Sequence, residues 1–347
     1  MKIRCWTYNL PFKHPFTISK GTKTHQPSLI VEIEQFGLKG YGEAPAIAYY
    51  GIPVEKMLHD LVVVRSKIER FAYTEPKRFW HFLHHLIPAN SFLACALDMA
   101  SWDLYGKLRN EPLYRLWKTQ FGHNVLTDYT IGIDTPERMK HKIKELEWPI
   151  YKIKLGTNHD IDILQSLRAA TDAVIRVDAN AGWDLKKALF MLNQLQKLRI
   201  ELIEQPLGKD DWTNMQILKE QSGIPLIADE SCVGPKDLEK CAESFHGINI
   251  KLTKCGGITP ALDMIISARN LGLQVMMGSM NESSVGSAAI AQFLPQLDYV
   301  DMDGPLLLAS DIATGLSFDR GTVKISERPG LGIEFAEGSQ PFMDYLH

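Results

Sequence analysis

The sequence predicts an α/β protein in which an N-terminal α+β capping domain precedes a (β/α)7β modified TIM barrel. Two observations lead to this prediction. From residue 126 onward, short apolar runs alternate with amphipathic helical segments, and from Lys154 the runs recur at intervals of 22 to 27 residues. In addition, six of the eight runs carry charged side chains at or beside their last residue, as expected for a barrel whose catalytic residues collect at the strand ends.

The N-terminal unit begins with strands and continues with helices. Residues 1–10 alternate polar and apolar side chains, and residues 28–34 form a second predicted strand, which the turn at Phe36 and Gly37 follows. Over residues 54–117, apolar side chains recur at helical spacing. A strand meander followed by helices is typical of a separate α+β unit, which we assign to residues 1–122.

The barrel is predicted over residues 123–320. Its strand-like runs end at Ile131, Lys154, Asp178, Glu204, Asp229, Lys251, Gly278 and Met302. Helical segments, such as 160–171 and 185–198, fill the intervals between the runs. After the last run the chain shows turns and extended residues rather than a further helix, which predicts seven βα units and a final strand. The tail, residues 321–347, is predicted to return to the capping domain.

Composition and charge exclude several classes of function. With 38 Lys and Arg against 41 Asp and Glu, the net charge of −3 leaves no basic excess for binding nucleic acid. No apolar run approaches the roughly 18 residues that a membrane span needs, and the N-terminus lacks the apolar core of a signal peptide, so we expect a cytoplasmic protein. The five cysteines form no Cys-x-x-Cys pair, which argues against a disulfide framework and a thiolate zinc site.

Three carboxylates, those of Asp178, Glu204 and Asp229, end successive strands of the predicted barrel. Because the strand ends meet at one mouth, these side chains converge, and without a counter-charge they would repel one another. A hard divalent cation resolves the repulsion, and Mg²⁺ suits this all-oxygen donor set better than zinc. The alternative is that the carboxylates pair with basic side chains, for which Arg176 and Lys251 are available.

Three lysines are predicted to surround this cluster. Lys152 and Lys154 are two residues apart on one strand, so both point into the barrel, and Lys251 approaches from the opposite side. Crowded ammonium groups beside a divalent cation should have lowered pKa values, which makes a neutral lysine base accessible. One lysine on each side of a metal-held carboxylate suits the transfer of a proton between the two faces of a carbon atom.

Over nearly the whole chain, the strand-end motifs resemble those of the enolase superfamily, in its muconate-lactonising-enzyme-like branch. The matching motifs are Lys152-Ile153-Lys154, Asp178-Ala179-Asn180, Glu204-Gln205-Pro206, Asp229-Glu230-Ser231 and Lys251-Leu252-Thr253-Lys254-Cys255-Gly256-Gly257. The resemblance implies that Lys154 and Lys251 are the two acid/base groups and that Lys152 helps to neutralise an enolate. It also implies that the three carboxylates bind one Mg²⁺ per subunit.

The motif Asp301-Met302-Asp303 at the eighth strand resembles the signature of the dipeptide epimerases within that branch. The resemblance implies that Asp301 and Asp303 hold the α-ammonium group of a dipeptide while the metal binds its terminal carboxylate. The implied reaction inverts the α-carbon of the C-terminal residue by two-lysine 1,1-proton transfer through a metal-stabilised enolate. Further residues implied to line the substrate site are Thr130, Ser279, Met280 and Asn281.

One position departs from the pattern of the Ala-Glu epimerases. In such enzymes an arginine of the substrate-covering loop reads the glutamate side chain, and this position aligns with Gly21 here, flanked by Lys20 and Lys23. Neither lysine offers the bidentate fork of an arginine. We therefore expect an Ala-Xaa dipeptide substrate in which Xaa is small or apolar.

Other functions share parts of this pattern. An N-acylamino-acid racemase, a cycloisomerase or an o-succinylbenzoate synthase of the same superfamily would use the same metal ligands and lysines. An acylated or anionic substrate, however, has no ammonium group for two aspartates at the eighth strand. A Schiff-base lyase with Lys154 as nucleophile and a non-catalytic binding module are the alternatives from other classes. A homo-oligomer is compatible with this architecture, although no sequence feature marks an interface.

Overall fold

A three-stranded antiparallel sheet forms the first part of the chain in the computed structural model, which describes residues 1–122 and 125–336. Its strands, in sheet order, are β1 (Lys2–Ile18), β2 (Gly21–Gln35) and β3 (Leu38–Pro45). β1 and β2 extend well beyond the predicted strands, because their pairing resumes after an irregularity between Pro11 and Phe16 and continues to Gly21. The two strands thus form one long hairpin, and its outer part extends past the end of β3.

Helices follow the sheet, as the apolar spacing predicts. They are α1 (Val54–Glu69), α2 (Pro76–Leu86), α3 (Ser91–Arg109) and α4 (Leu113–Leu116). Asn90 caps α3, since its side-chain oxygen accepts the Leu93 N–H at 3.0 Å, and Asn110 ends the helix in the left-handed conformation. The sequence predicts one buried stripe on α3, but every residue from 92 to 104 is buried. This helix is therefore covered on more than one side.

Eight parallel strands form the barrel, and their order around it follows the chain. They are β4 (Tyr129–Ile131), β5 (Ile150–Lys154), β6 (Val174–Asp178), β7 (Ile200–Glu204), β8 (Leu226–Ala228), β9 (Gly247–Ile250), β10 (Gln274–Gly278) and β11 (Tyr299–Asp301). Thr127, just before β4, pairs with Val300 of β11 and accepts the Met302 N–H on its hydroxyl at 3.0 Å. These contacts bring the last strand back to the first.

Helices connect the strands on the outside of the barrel. They are α5 (Pro136–Glu145), α6 (Asp160–Arg168), α7 (Leu185–Lys197), α8 (Trp212–Gln221), α9 (Leu238–Ser244), α10 (Leu252–Cys255), α11 (Ile258–Asn270), α12 (Ser284–Ala291) and α13 (Gly304–Leu307). After β11 the chain forms the four-residue α13 rather than a full connecting helix. The predicted (β/α)7β barrel with an N-terminal α+β capping domain is thereby confirmed.

α3 lies between the capping sheet and the barrel, which explains its complete burial. On one side it packs so closely on β3 that a Cβ atom added to Gly42 would overlap the Ala96 carbonyl oxygen. On the other side, the Asp98 carboxylate accepts the backbone N–H and the hydroxyl group of Thr259, both at 2.8 Å. Thr259 lies in the first turn of α11, so a cap carboxylate satisfies N–H groups at the start of a barrel helix.

Short strands form the C-terminal part of the described chain. They are β12 (Ala313–Thr314), β13 (Leu316–Asp319), β14 (Thr322–Ile325) and β15 (Glu334–Phe335). The Leu331 N–H donates to Asp103 of α3 at 2.8 Å, so this part of the predicted tail contacts the capping helix. Residues 337–347 of the predicted tail, and residues 123 and 124 at the predicted domain boundary, lie outside the described residues.

Two further observations concern the sequence-based exclusions. In the described part of the chain, no helix combines the length and the apolar composition that a membrane span requires. All five cysteines are free thiols, four of them buried and Cys255 half-buried. The absence of a disulfide framework agrees with the scattered spacing of the cysteines in the sequence.

The close approach of β3 to α3 makes Gly42 a sensitive position. Gly42→Ala is expected to lower the free energy of unfolding by about 1–3 kcal/mol, because backbone atoms of α3 cannot move aside as a side chain could. Urea unfolding followed by circular dichroism measures the change. Gly208→Ala is the control, since a Cβ atom there meets no atom within 4 Å. Equal stability of the two variants would contradict this account of the packing.

Candidate active site

Lysine and carboxylate side chains meet at the carboxyl ends of neighbouring barrel strands. Lys154, Asp178 and Glu204 are the last residues of β5, β6 and β7, and the strand register places Asp178 beside both of the others. Asp229 and Lys251 follow β8 and β9 by one position. All five are buried. The structure therefore brings together the lysines and carboxylates that the sequence places at the barrel mouth.

Lys152 lies at the centre of this cluster and is fully buried. Its Nζ atom lies 2.6 Å from Glu204 Oε2, 2.7 Å from Asp301 Oδ2 and 3.5 Å from Asp178 Oδ2. Burial lowers the pKa of Lys152, but the charges of Asp301, Glu204 and Asp178 outweigh burial and raise the pKa well above its usual value. Lys152 therefore stays charged and compensates carboxylates from three strands.

Lys154 and Lys251 occupy opposite walls of the mouth, since β5 and β9 are four strands apart among the eight. Lys154 Nζ lies 2.6 Å from Asp178 Oδ2, and Lys251 Nζ lies 2.7 Å from Asp229 Oδ2. The lowering of the lysine pKa values, predicted for ammonium groups beside a divalent cation, stays a prediction. Burial lowers the pKa of Lys251, but Asp229 and Glu204 raise it by more, because this ammonium lies against a carboxylate.

The three carboxylates predicted to bind a metal ion are held by these lysines. Within residues 1–122 and 125–336, no three carboxylate, imidazole or thiol side chains are already arranged as the ligands of a metal ion. The donor set nevertheless suits Mg²⁺, because it offers oxygen atoms alone. In addition, Glu204 Oε2 lies 2.6 Å from Lys152 Nζ but accepts no hydrogen bond of good geometry from the described residues. Burial raises the pKa of Glu204 to about 7, and the charges of Asp178 and Asp229 add to this rise. A cation among the three would stabilise their charged forms.

Two residues to which the sequence argument gives no role complete the contacts of the carboxylates. Asn249 Nδ2 donates to Glu204 Oε1 at 2.8 Å. Lys254 Nζ donates to Asp229 Oδ1 and to Asp229 O, both at 2.6 Å, and to Asn249 O at 3.0 Å. Strand alternation could have identified Asn249, which precedes Lys251 by two residues and faces the same side. The contact of Lys254 depends on how α10 turns away from the strand, for which the sequence carries no direct signal.

The two aspartates at the eighth strand take different positions. Asp301 borders the pocket: its Oδ2 atom contacts Lys152, and its buried Oδ1 atom accepts no hydrogen bond from the described residues. Asp303 Oδ2 instead accepts the Thr130 N–H at 2.5 Å, and Asp303 does not border the pocket. Burial raises the pKa of Asp303 to about 7, and the charge of Asp301 adds to this rise. Of the two aspartates, Asp301 is therefore the one that borders the pocket and carries an unsatisfied oxygen.

A pocket of about 350 Å³ lies between this cluster and the capping domain. Residues predicted to bind substrate that border it are Thr130, Ser279, Met280, Asn281 and Asp301, and both proposed acid/base lysines border it as well. The wall contributed by the capping domain is mainly apolar and aromatic, and it includes Phe16, Ile18, Ile47, Ala48, Tyr49 and Tyr50. These cap residues carry no signal in the strand-end motifs, because they come from segments distant from those motifs along the chain.

The tip of the β1–β2 hairpin closes one side of the pocket. Lys20 Nζ lies 2.8 Å from Glu230 Oε1 and 3.8 Å from the centre of the Tyr49 ring. Lys23 forms a hydrogen bond of 3.4 Å to a side-chain amide oxygen, and burial lowers the pKa of Lys23. Of these two lysines, Lys20 is therefore already neutralised by Glu230, whereas no carboxylate of the described residues pairs with Lys23.

Two family models match the chain and together cover most of its length. The mandelate racemase / muconate lactonizing enzyme N-terminal domain matches residues 2–117, and the enolase C-terminal domain-like model matches residues 134–339. This capped barrel, with lysines and carboxylates at its mouth, is thus a protein of the enolase superfamily. The chain belongs to the mandelate racemase and muconate lactonizing enzyme family within it.

Individual relatives are similar over almost the full length. The chain is 48% identical to an L-Ala-D/L-amino acid epimerase of Flavobacterium johnsoniae, over 96% of this chain and 99% of that protein. It superposes with a TM-score of 0.92 and 27% identity on a dipeptide epimerase of Cytophaga hutchinsonii complexed with Mg and the dipeptide D-Ala-L-Val, over 97% of this chain and 96% of that one. It is also 32% identical to an N-succinyl-L-Arg/Lys racemase of Bacillus cereus, over 96% of this chain and 95% of the relative.

The carboxylate cluster predicts that Mg²⁺ stabilises the folded protein. A ligand present at a hundred times its Kd raises the free energy of unfolding by about 2.7 kcal/mol, so Mg²⁺ should raise the midpoint of thermal unfolding relative to EDTA. Glu204→Gln is expected to lose most of this shift. Glu201→Gln, on the same strand but paired with Arg176, is the control that keeps it. A wild type without any Mg²⁺-dependent shift in scanning calorimetry would contradict the metal assignment.

Proposed function

We propose that the chain is a Mg²⁺-dependent dipeptide epimerase that inverts the α-carbon of the C-terminal residue of Ala-Xaa dipeptides with a small or apolar Xaa. It is an enzyme of the isomerase class, as are the epimerases to which it is similar. One observation carries the proposal above the others. Lys154 and Lys251 border one pocket from opposite walls, and Asp301, whose buried Oδ1 atom has no hydrogen-bond partner among the described residues, borders the same pocket.

The barrel residues supply the chemistry of proton transfer. Asp178, Glu204 and Asp229 would hold Mg²⁺, and the bound cation would supply positive charge for the terminal carboxylate of the dipeptide and for acidifying its α-proton. Lys152 adds a fixed ammonium group at the same place. One of the other two lysines, in its neutral form, removes the α-proton from its own face, and the ammonium of the opposite lysine delivers a proton to the other face. In the reverse direction the two lysines exchange roles.

The amino end of the dipeptide is assigned to Asp301. A free α-ammonium group there would donate to the buried Oδ1 atom, which has no partner among the described residues. Asp303 supports this end indirectly, since it holds the backbone of Thr130, which borders the pocket. An N-acylamino acid would instead place an uncharged amide against Asp301. This difference favours the dipeptide epimerase over the N-acylamino-acid racemase, although one relative is such a racemase.

The preference for a small or apolar Xaa rests on the capping wall. The side chains that border the pocket from the hairpin tip and from residues 47–50 are mainly apolar or aromatic. Lys20, which could have bound an acidic side chain, is already paired with Glu230 at 2.8 Å. Lys23 also borders the pocket, but burial lowers its pKa and it lacks the bidentate fork of an arginine, so Ala-Glu is expected to react more slowly than Ala-Leu or Ala-Val.

A dipeptide library incubated with the enzyme and Mg²⁺ in D₂O tests this proposal. Mass spectrometry then identifies the members that gain one deuterium at the α-carbon of the C-terminal residue. We expect Ala-Xaa members with apolar Xaa to exchange fastest. A library without exchange, in the presence of Mg²⁺ and folded protein, would overturn the proposed reaction. Borohydride trapping of substrate on Lys154 would instead indicate a Schiff-base lyase.

The two-sided arrangement of the lysines predicts a stereochemical signature. Lys154→Ala and Lys251→Ala should each abolish epimerisation, because each variant lacks the group that serves one face of the α-carbon. Each variant should still exchange the α-proton of one stereoisomer. The resemblance to the superfamily implies that this is the S isomer for Lys154→Ala and the R isomer for Lys251→Ala. Proton NMR in D₂O with pure L,L- and L,D-dipeptides measures both rates. Equal exchange of both isomers in both variants would contradict the two-base model.

The aspartates predict that the enzyme requires a free amino terminus. N-acetylation removes the charge and leaves a desolvated carboxylate without its partner, so kcat/KM for an acetylated dipeptide should fall by about a hundredfold or more. Asp301→Asn should shrink this preference more than Asp303→Asn, because Asp301 carries the unsatisfied oxygen. Parallel assays of free and N-acetyl Ala-Leu check both points. Equal rates for the two substrates with the wild type would favour the N-acylamino-acid racemase.

A further inference from the structure

Two buried carboxyl groups meet between the capping sheet and the barrel, outside the lysine and carboxylate cluster. Glu43 lies on β3 and is fully buried, and Glu282 lies in the segment that joins β10 to α12 and is 4% exposed. A Cβ atom added to Gly286, in the first turn of α12, would lie 2.6 Å from Glu282 Cγ and 3.2 Å from Glu43 Oε2. Both carboxyl groups therefore share the space beside this glycine.

Glu43 has the contacts of a charged carboxylate. Its Oε1 atom accepts the Ser28 hydroxyl at 2.7 Å and the Ser283 N–H at 3.1 Å. Its Oε2 atom accepts the Ser283 hydroxyl at 2.6 Å and the Gly286 N–H at 2.9 Å. Four donors and the start of a helix stabilise a negative charge. Glu43 is thus the member of the pair that is built to be ionised.

Glu282 has a different environment. Its Oε2 atom accepts the backbone N–H of Met280 at 2.6 Å, which folds back the segment that contributes Ser279, Met280 and Asn281 to the pocket. The charged or titratable groups around Glu282 are Glu43 from β3, Cys95 from α3, Lys251 from the end of β9 and Asp311, which caps α12 through Ser284. From α13, Gly304 packs on the backbone of Glu282 without a side chain.

We propose that Glu282 is a positioning residue whose carboxyl group remains protonated beside the charged Glu43 and, through the Met280 N–H, holds residues 279–281 in the shape of the pocket wall. Two buried carboxylates beside the same glycine cannot both be ionised without a large electrostatic cost. The four donors on Glu43 decide which of the two keeps the proton. Glu43 in turn belongs to the capping sheet, so the cap controls the protonation of a barrel segment that borders the substrate.

The pKa values of the two acids respond to different neighbours. Burial raises the pKa of Glu43, but its hydrogen bonds from Ser283, Ser28 and Gly286 lower it in opposition. Burial raises the pKa of Glu282 to about 8, and the charge of Glu43 adds to the rise. The folded protein therefore binds one proton more than the unfolded chain between the ordinary glutamate pKa of about 4.3 and this value. The contribution of Glu282 to stability is consequently highest below that window, falls as the pH rises through it, and stays constant above it.

The pH dependence of thermal unfolding tests whether Glu282 keeps its proton, without relying on any enzymatic activity. Glu282→Gln keeps the size of the protonated acid and cannot ionise. Relative to this variant, the unfolding midpoint of the wild type should fall by several degrees between about pH 5 and about pH 8.5. Glu43→Gln, which removes the neighbouring charge, should also lose less stability over this range than the wild type. Two variants with the same pH dependence as the wild type would overturn the proposal.

Measurements of KM, which rest on the proposed function, separate a positioning role of Glu282 from a purely structural one. Above about pH 8, the KM for Ala-Leu should rise more steeply in the wild type than in Glu282→Gln, because in the variant the α-ammonium group of the substrate still titrates but residue 282 does not. Glu282→Ala, which removes the contact to Met280, should raise KM severalfold at pH 7 with a smaller effect on kcat. Asp98→Asn is the matched control. Asp98 of α3 is an equally buried acid that binds the start of α11, but it does not border the pocket.

The outcomes of the two experiments can be told apart. If no dipeptide reacts, the proposed function fails, and the unfolding data still decide whether Glu282 holds the proton. If dipeptides react but the KM profile of Glu282→Gln follows that of the wild type, the positioning role of Glu282 is refuted while the epimerase proposal stands. An equally shallow KM rise in Asp98→Asn would also refute it, because the effect would then be general to buried acids between the cap and the barrel.

Discussion

The structure depends on one electrostatic constraint: positive and negative side chains must be packed in contact at the mouth of the barrel, out of reach of water. Parallel strands deliver their last side chains to the same end, so the strand register decides which charges become neighbours. A buried charge without a partner is costly, and Lys152 accordingly touches carboxylates from three strands. The strands, the closing contact at Thr127 and the helices around them all serve to hold these pairs in register.

The capping domain meets the same constraint in a second way. Asp98 of α3 satisfies the start of α11, and Glu43 of β3 satisfies the start of α12. Each of these cap carboxylates thus binds N–H groups that a barrel helix leaves unpaired in its first turn. Because both contacts are buried and involve charge, the cap has a defined place on the barrel. That placement determines where the hairpin tip and residues 47–50 stand relative to the lysines.

Local sequence patterns predicted the parts of this arrangement that are themselves local. The regular recurrence of β then α placed the ends of β5, β6 and β7 correctly, and β8 and β9 end one residue before the predicted Asp229 and Lys251. Period-two alternation put Lys152 and Lys154 on one face. Contacts between distant segments gave no such signal: Lys20 and Glu230 are 210 positions apart, and Glu43 and Ser283 are 240 apart. The carboxylates that raise the pKa values of Lys152 and Lys251 likewise come from other strands, so no local pattern identifies them.

The pocket is assembled from two kinds of wall, and this division has an evolutionary consequence. The clustered lysines and carboxylates come from the barrel strands, whereas the apolar and aromatic wall comes mainly from the hairpin and residues 47–50 of the cap. Substitutions in these two cap segments can alter the range of accepted molecules without disturbing the paired charges of the barrel. Selectivity and reactivity are thereby encoded in separate stretches of the gene, and a lineage can diversify in the first while the second stays fixed.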